Sequence, residues 1–133
     1  MLSKNRVNEI KRVTDIINKR CSIGPERLEI SIVRDCNLKC NYCWFHSQHL
    51  KFPIKLFKRF KKSKYKSFPL SKFKELIDSA SRIGTEQIII TGEGEPFLHP
   101  QIAKFLKYAK SRNLKVTLET NATLIKENIL SLG

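Results

Sequence analysis

Apolar residues near the start of the chain recur at helical intervals. Val7, Ile10, Val13 and Ile17 stand among polar neighbours, which predicts an amphipathic helix over 3–19. Gly24-Pro25 breaks it. The period then shortens to two: Leu28, Ile30 and Ile32 alternate with Glu29 and Ser31, the pattern of a strand over 28–33. Beyond a long basic stretch the helical period returns at Phe73, Leu76, Ile77, Ala80 and Ile83, with Ser71 the expected N-cap and Gly84 the stop. Ile88-Ile89-Ile90, within 87–91, suits a strand covered on both faces. After a loop over 92–96, a helix is expected near Pro100, where proline's fixed φ fits a first turn. Its inner face is Ile102, Phe105, Leu106 and Ala109. A third strand follows over 115–120, and a further helix over 124–132.

The order is a helix, then strand–helix three times. Strands separated by helices of this length imply an α/β fold with parallel pairing and right-handed crossovers. A full eight-fold barrel takes about 250 residues, so 133 residues allow at most a partial (β/α) barrel of about three units. Either the sequence is a fragment or a partner chain completes the sheet, because an unfinished parallel sheet leaves an edge strand and an apolar face unprotected.

Composition, with 41% hydrophobic and 29% charged residues, is that of a globular chain and excludes a disordered one. No apolar run approaches the roughly 20 residues of a membrane helix, and residues 1–20 lack the apolar core of a signal peptide. A cytoplasmic protein without a membrane span is the expectation. Charge changes the picture locally. Of the formal net +14, eight positive charges and no acid fall within 51–66, where Phe52, Phe57, Phe60 and Tyr65 interleave with the lysines. The favoured reading is a solvated basic loop. An acidic or phosphate-bearing substrate comes next, and nucleic acid, which such a mixture of charge and rings suits, comes after that. Leu56, Phe57 and Phe60 could also form a short face for a partner or a membrane surface.

Three of the four cysteines crowd into Cys36-Asn37-Leu38-Lys39-Cys40-Asn41-Tyr42-Cys43, while Cys21 stands alone. Without a secretion signal that crowding reads as metal binding in a reducing compartment. Three soft sulfur donors on one loop favour an iron–sulfur cluster, and three rather than four leave one iron open to another ligand. The alternative is a structural zinc whose fourth ligand is Cys21, His46 or His49, in a basic nucleic-acid-binding module. His46 and His49 could instead tune a cluster by hydrogen bonding, although plain surface exposure is favoured for both.

The C-x3-C-x2-C spacing with Tyr42 before the last cysteine closely resembles the radical S-adenosylmethionine (SAM) superfamily. Thr91-Gly92-Glu93-Gly94-Glu95-Pro96 is similar to that family's Gly-Gly-Glu-Pro segment, and Thr120-Asn121-Ala122 to its Thr-Asn-Gly segment. The three fall in order at the expected carboxyl ends of three successive strands. The resemblance implies 1–24 as an N-terminal helical extension and 25–133 as the first part of the family's core domain. It implies a 4Fe-4S cluster on Cys36, Cys40 and Cys43, with S-adenosyl-L-methionine on the open iron. Tyr42 would then lie near the adenine and Gly92, Glu93, Gly94 and Glu95 would receive the methionine ammonium, with Asn121 a weaker candidate contact. It further implies reductive cleavage of SAM to a 5′-deoxyadenosyl radical, hydrogen abstraction from a substrate the sequence does not identify, and an electron donor of the reductase or flavodoxin/ferredoxin type. Glu93 stands where the family has its first glycine, and Ala122 replaces a glycine, which asks a residue with a side chain to take that loop's conformation. His99 reads as part of the connection into the following helix.

Overall fold

Three parallel strands, Arg27–Ser31 (β1), Gln87–Thr91 (β2) and Lys115–Leu118 (β3), form one sheet in the order β1-β2-β3. They belong to a computed structural model that describes residues 3–49 and 67–126. Three helices accompany them: Lys4–Ile17 (α1), Leu70–Arg82 (α2) and Ile102–Ser111 (α3). The basic segment 51–66 and all but the start of the helix expected over 124–132 lie outside the described residues.

Register explains the core. Pairing runs from Arg27↔Gln87 to Ser31↔Thr91 and from Gln87↔Lys115 to Ile90↔Leu118. Because successive side chains alternate between faces, Leu28, Ile88 and Val116 form one row on the helix side, and Ile30, Ile90 and Leu118 the next. Against these rows α2 brings Phe73, Ile77 and Ala80, and α3 brings Ile102, Phe105 and Ala109. The Phe73 and Phe105 rings meet with centroids 4.2 Å apart. Each such side chain removed from water contributes about 1.5–3 kcal/mol. The opposite face carries Glu29, Ile89 and Thr117 in one row and is largely polar. Arg112, the C-cap residue of α3, and Tyr108 within α3 both donate to Asp78 of α2, at 2.6 and 2.9 Å. Those bonds hold the Asp78 carboxyl below the usual carboxylate range.

Several boundaries differ from the sequence pattern; β3, expected over 115–120, ends at Leu118, and α1, expected over 3–19, ends at Ile17. Ile32 and Val33 are buried as expected but leave the parallel ladder: Val33 bridges antiparallel to Ser67, and Phe68 N donates to Ile32 O at 2.7 Å. The chain therefore turns into α2 directly from Pro69, which takes the N-cap position in place of Ser71. The helix near Pro100 starts at Ile102, because Pro96–Leu98 forms a 3-10 turn and Gln101 N donates to the His99 ring at 3.1 Å. The apolar stripe of α1 (Val7, Ile10, Val13, Ile17) is exposed. Arg12 ties the helix to the rest, donating to Gly24 O and Gly84 O at 2.9 and 3.0 Å and pairing with Glu86 at 3.2 Å.

His99 is buried, donates from Nε2 to Phe68 O at 3.1 Å and accepts at Nδ1 from Gln101, so its ring is neutral and structural. Burial holds its pKa below the ordinary value. The unfolded chain thus binds a proton that the folded chain does not. The corresponding stability is complete above about pH 6.5 and is lost as pH falls below it through the folded pKa. Melting temperatures between pH 7.5 and 5 are expected to fall, and to fall less steeply in His99→Gln. Equal slopes in the two proteins would refute this.

A candidate cofactor site at the carboxyl ends of the strands

All three strands run the same way, so the loops that follow them emerge at one edge of the sheet, where ligands of α/β folds are bound. The loop after β2 is pressed onto the entry to the cysteine loop. Gly92 has φ of +119°, a conformation that side chains rarely adopt, and a Cβ there would lie 2.5 Å from Ser31 Cβ. At Gly94 a Cβ would stand 2.7 Å from the Arg34 carbonyl carbon and 2.8 Å from Val33 O. Glu95 N donates to Asp35 O at 2.9 Å. Glycine here is a condition of close approach between the two backbones.

Cys36, Cys40 and Cys43 are free thiols, each half-buried, on the loop after β1. The loop is built from short turns: Cys43 N donates to Cys40 O at 3.0 Å, Ser47 N to Cys43 O at 3.1 Å, and the Ser47 hydroxyl to Asn41 O at 2.6 Å. Among the described residues, no three His, Cys, Asp or Glu side chains are gathered closely enough to hold a single metal ion. The chemistry of the donors nonetheless suits a cluster: three accessible sulfurs on one loop, with N–H groups already directed at one of them. Cys36 Sγ receives Leu38 N at 3.5 Å and Asn121 Nδ2 at 3.9 Å, the kind of outer hydrogen bonding that accompanies iron–sulfur ligands. Cys21 precedes the amino end of β1, whereas this loop follows its carboxyl end.

Tyr42 is 82% exposed at the rim. His46, half-buried, donates from Nε2 to Glu93 O at 2.7 Å, whereas His49 is exposed. Glu93 pairs with Arg34 at 2.7 Å. Glu95 differs from it entirely, being 2% exposed. Its carboxyl accepts from the Thr120 hydroxyl at 2.6 Å, Asn121 N at 2.8 Å and Phe97 N at 3.0 Å. The carboxyl is thus a clamp between the loops after β2 and β3. Asn121 continues the connection, donating to Asn37 Oδ1 at 2.9 Å, while Asn37 donates to Thr123 Oγ1 at 2.8 Å. Thr120 entered the sequence reading only as part of its motif, and Arg34, Asn37 and Thr123 were given no role there. Each lies within or close to a recognised motif, which was the available signal.

Ala122 has φ of +65°, the left-handed conformation its position predicted. Ala122→Gly is expected to relieve up to about 1 kcal/mol of strain and raise the melting temperature. A lower melting temperature would mean that the turn tolerates alanine without cost.

A family model described as the Radical SAM superfamily matches residues 30–132. The chain is 26% identical over 99 residues to an S-adenosylmethionine-dependent nucleotide dehydratase of Selenomonas ruminantium, covering 74% of this chain and 31% of that protein. It is 27% identical over 95 residues to an Fe-coproporphyrin III synthase of Methanosarcina barkeri, covering 71% and 21%. A 7-carboxy-7-deazaguanine synthase of Clostridium acetobutylicum is 29% identical over 126 residues, covering 87% and 49%. The chain spans roughly a fifth to a half of the length of these relatives.

Proposed function

The chain belongs to the radical SAM superfamily, and from that premise we propose that Cys36, Cys40 and Cys43 hold a 4Fe-4S cluster whose open iron takes S-adenosyl-L-methionine. The observation that carries this reading is the packing of the cysteine-bearing loop against the Gly92–Glu95 loop, through Asp35 and His46, with Asn121 beside Cys36, at one edge of the sheet. When bound, cluster and SAM supply one-electron cleavage of a carbon–sulfur bond to a 5′-deoxyadenosyl radical, which takes a hydrogen atom from the substrate.

The chain's own residues bind and orient. Exposed Tyr42 offers a ring for the adenine. Gly92, Glu93 and Gly94 offer backbone carbonyls to the methionine ammonium. Glu93 O carries the His46 N–H, so this contact would be shared or exchanged. Glu95 serves through its backbone and its clamp, since its carboxyl already accepts from Thr120, Asn121 and Phe97. The relatives are named for different reactions, so the matched region accounts for chemistry they share and leaves the substrate to the rest of each protein. On this reading the three strands open a (β/α) barrel that further chain or a partner completes, working in a reducing cytoplasm with a reductase or a flavodoxin- or ferredoxin-type donor. No helix among the described residues is long and apolar enough to cross a membrane. The zinc-stabilised basic module is not favoured, because it leaves the glycine loop and its match unexplained.

Anaerobic purification with iron and sulfide reconstitution tests the proposal. About four irons per chain and a reduced-cluster EPR signal that changes on adding SAM are expected. Zinc without iron, and no response to SAM, would sink it.

A further inference from the structure

We propose that the Asn121 side chain is a tuning donor to the Cys36 sulfur, setting how readily the cluster accepts an electron. This rests on the cluster reading above.

The amide has one orientation. Its Oδ1 accepts from Thr123 N at 3.0 Å and from the Thr123 hydroxyl at 2.7 Å. Those two donors fix oxygen on that side, which leaves Nδ2 to face Asn37 Oδ1 at 2.9 Å and Cys36 Sγ at 3.9 Å. The backbone is fixed as well, since Asn121 N and the Thr120 hydroxyl are both held by the buried Glu95 carboxyl. An N–H aimed at a ligand sulfur stabilises the extra negative charge of the reduced cluster and raises its potential. Leu38 N, the other donor to this sulfur, belongs to the cysteine loop and is left intact by changes at Asn121. Asn121 is therefore the donor that the loop after β3 contributes, and Glu95 and Thr123 are its positioning residues.

The test is an EPR-monitored redox titration of reconstituted wild type, Asn121→Ala and Asn121→Asp, with iron content measured on the same samples. Both variants are expected to keep their iron and to reduce at lower potential. A tenfold or larger shift in the redox equilibrium is expected, equivalent to about 59 mV for one electron, and Asp should shift further because it adds charge. Unchanged potentials at full iron content overturn the proposal. If Asn121→Ala takes up no iron, Thr123→Val decides. That variant keeps Asn121 and the Thr123 N bond to its oxygen but removes the hydroxyl's bond and Asn37's acceptor, loosening the amide. A lowered potential sustains the proposal and one unchanged at full iron content overturns it. Wild type that takes up no iron overturns the cluster reading itself, an outcome that iron content separates from the other results.

Discussion

Cys40→Ala is expected to leave the chain folded and to reduce its reconstituted iron from about four per chain to near background. The thiol is half-buried, and the bond that organises its turn uses the Cys40 carbonyl, which accepts Cys43 N at 3.0 Å. Alanine retains that carbonyl. The stability cost should stay within about 1 kcal/mol, while one of three thiolates is lost outright. Cys21→Ala supplies the contrast. Its thiol is exposed, lies before β1 and contacts Ile23 O at 3.7 Å, so iron content and the effect of SAM on the EPR signal should match wild type. Equal iron loss in both variants would show that the ligands have been misassigned.

Gly94→Ala should do more damage to the fold than either cysteine change, although it removes nothing. The added Cβ meets backbone of Val33, Arg34 and Asp35, and backbone in a paired segment yields less readily than a side-chain tip. Val33 is bridged to Ser67, and Asp35 O accepts Glu95 N. Overpacking of this kind costs about 3 kcal/mol, a drop in melting temperature on the order of 10 °C for a chain of this size. Relief by shifting 33–35 would displace Cys36 relative to Cys40 and Cys43, so iron uptake should fall together with stability. Wild-type melting and iron content in Gly94→Ala would show that the two loops are less tightly apposed than the distances require.

Legibility followed the range of the interactions. Strand β2 was readable to the residue, because Ile88-Ile89-Ile90 between Gly84 and Gly92 is a local pattern and the strand is central. The inner faces of α2 and α3 were readable from periodicity for the same reason, apart from Ile83, which lies just past the end of α2 and is exposed. The N-cap of α2 was not, since Pro69 holds it only through the bridge between Ser67 and Val33, a contact across the chain. The exposed stripe of α1 shows the opposite failure: a helical period records amphipathicity but does not name what the apolar face meets. In the candidate site, motif spacing pointed to three loops that the structure brings to one edge of the sheet. It could not distinguish Glu93, half-buried and ion-paired, from Glu95, fully buried two residues later. Those fates depend on Arg34 for the first and on Thr120 and Asn121 for the second, partners dozens of residues distant.

That separation in sequence has a consequence for the timing of assembly. Asn121 and Cys36 stand 85 positions apart, so the cysteines leave the ribosome well before the residues that brace them. At ordinary elongation rates the interval is on the order of ten seconds. During it the thiols are carried by a nascent chain that lacks β2, β3 and the Glu95 clamp. Iron delivered in that interval would meet an unbraced loop, whereas iron delivered after Asn121 has emerged meets one already fastened from two sides. On the proposed cluster reading, insertion is thus best suited to follow synthesis of β3, and a carrier that shields the cysteines until then would act on the chain at its most exposed stage.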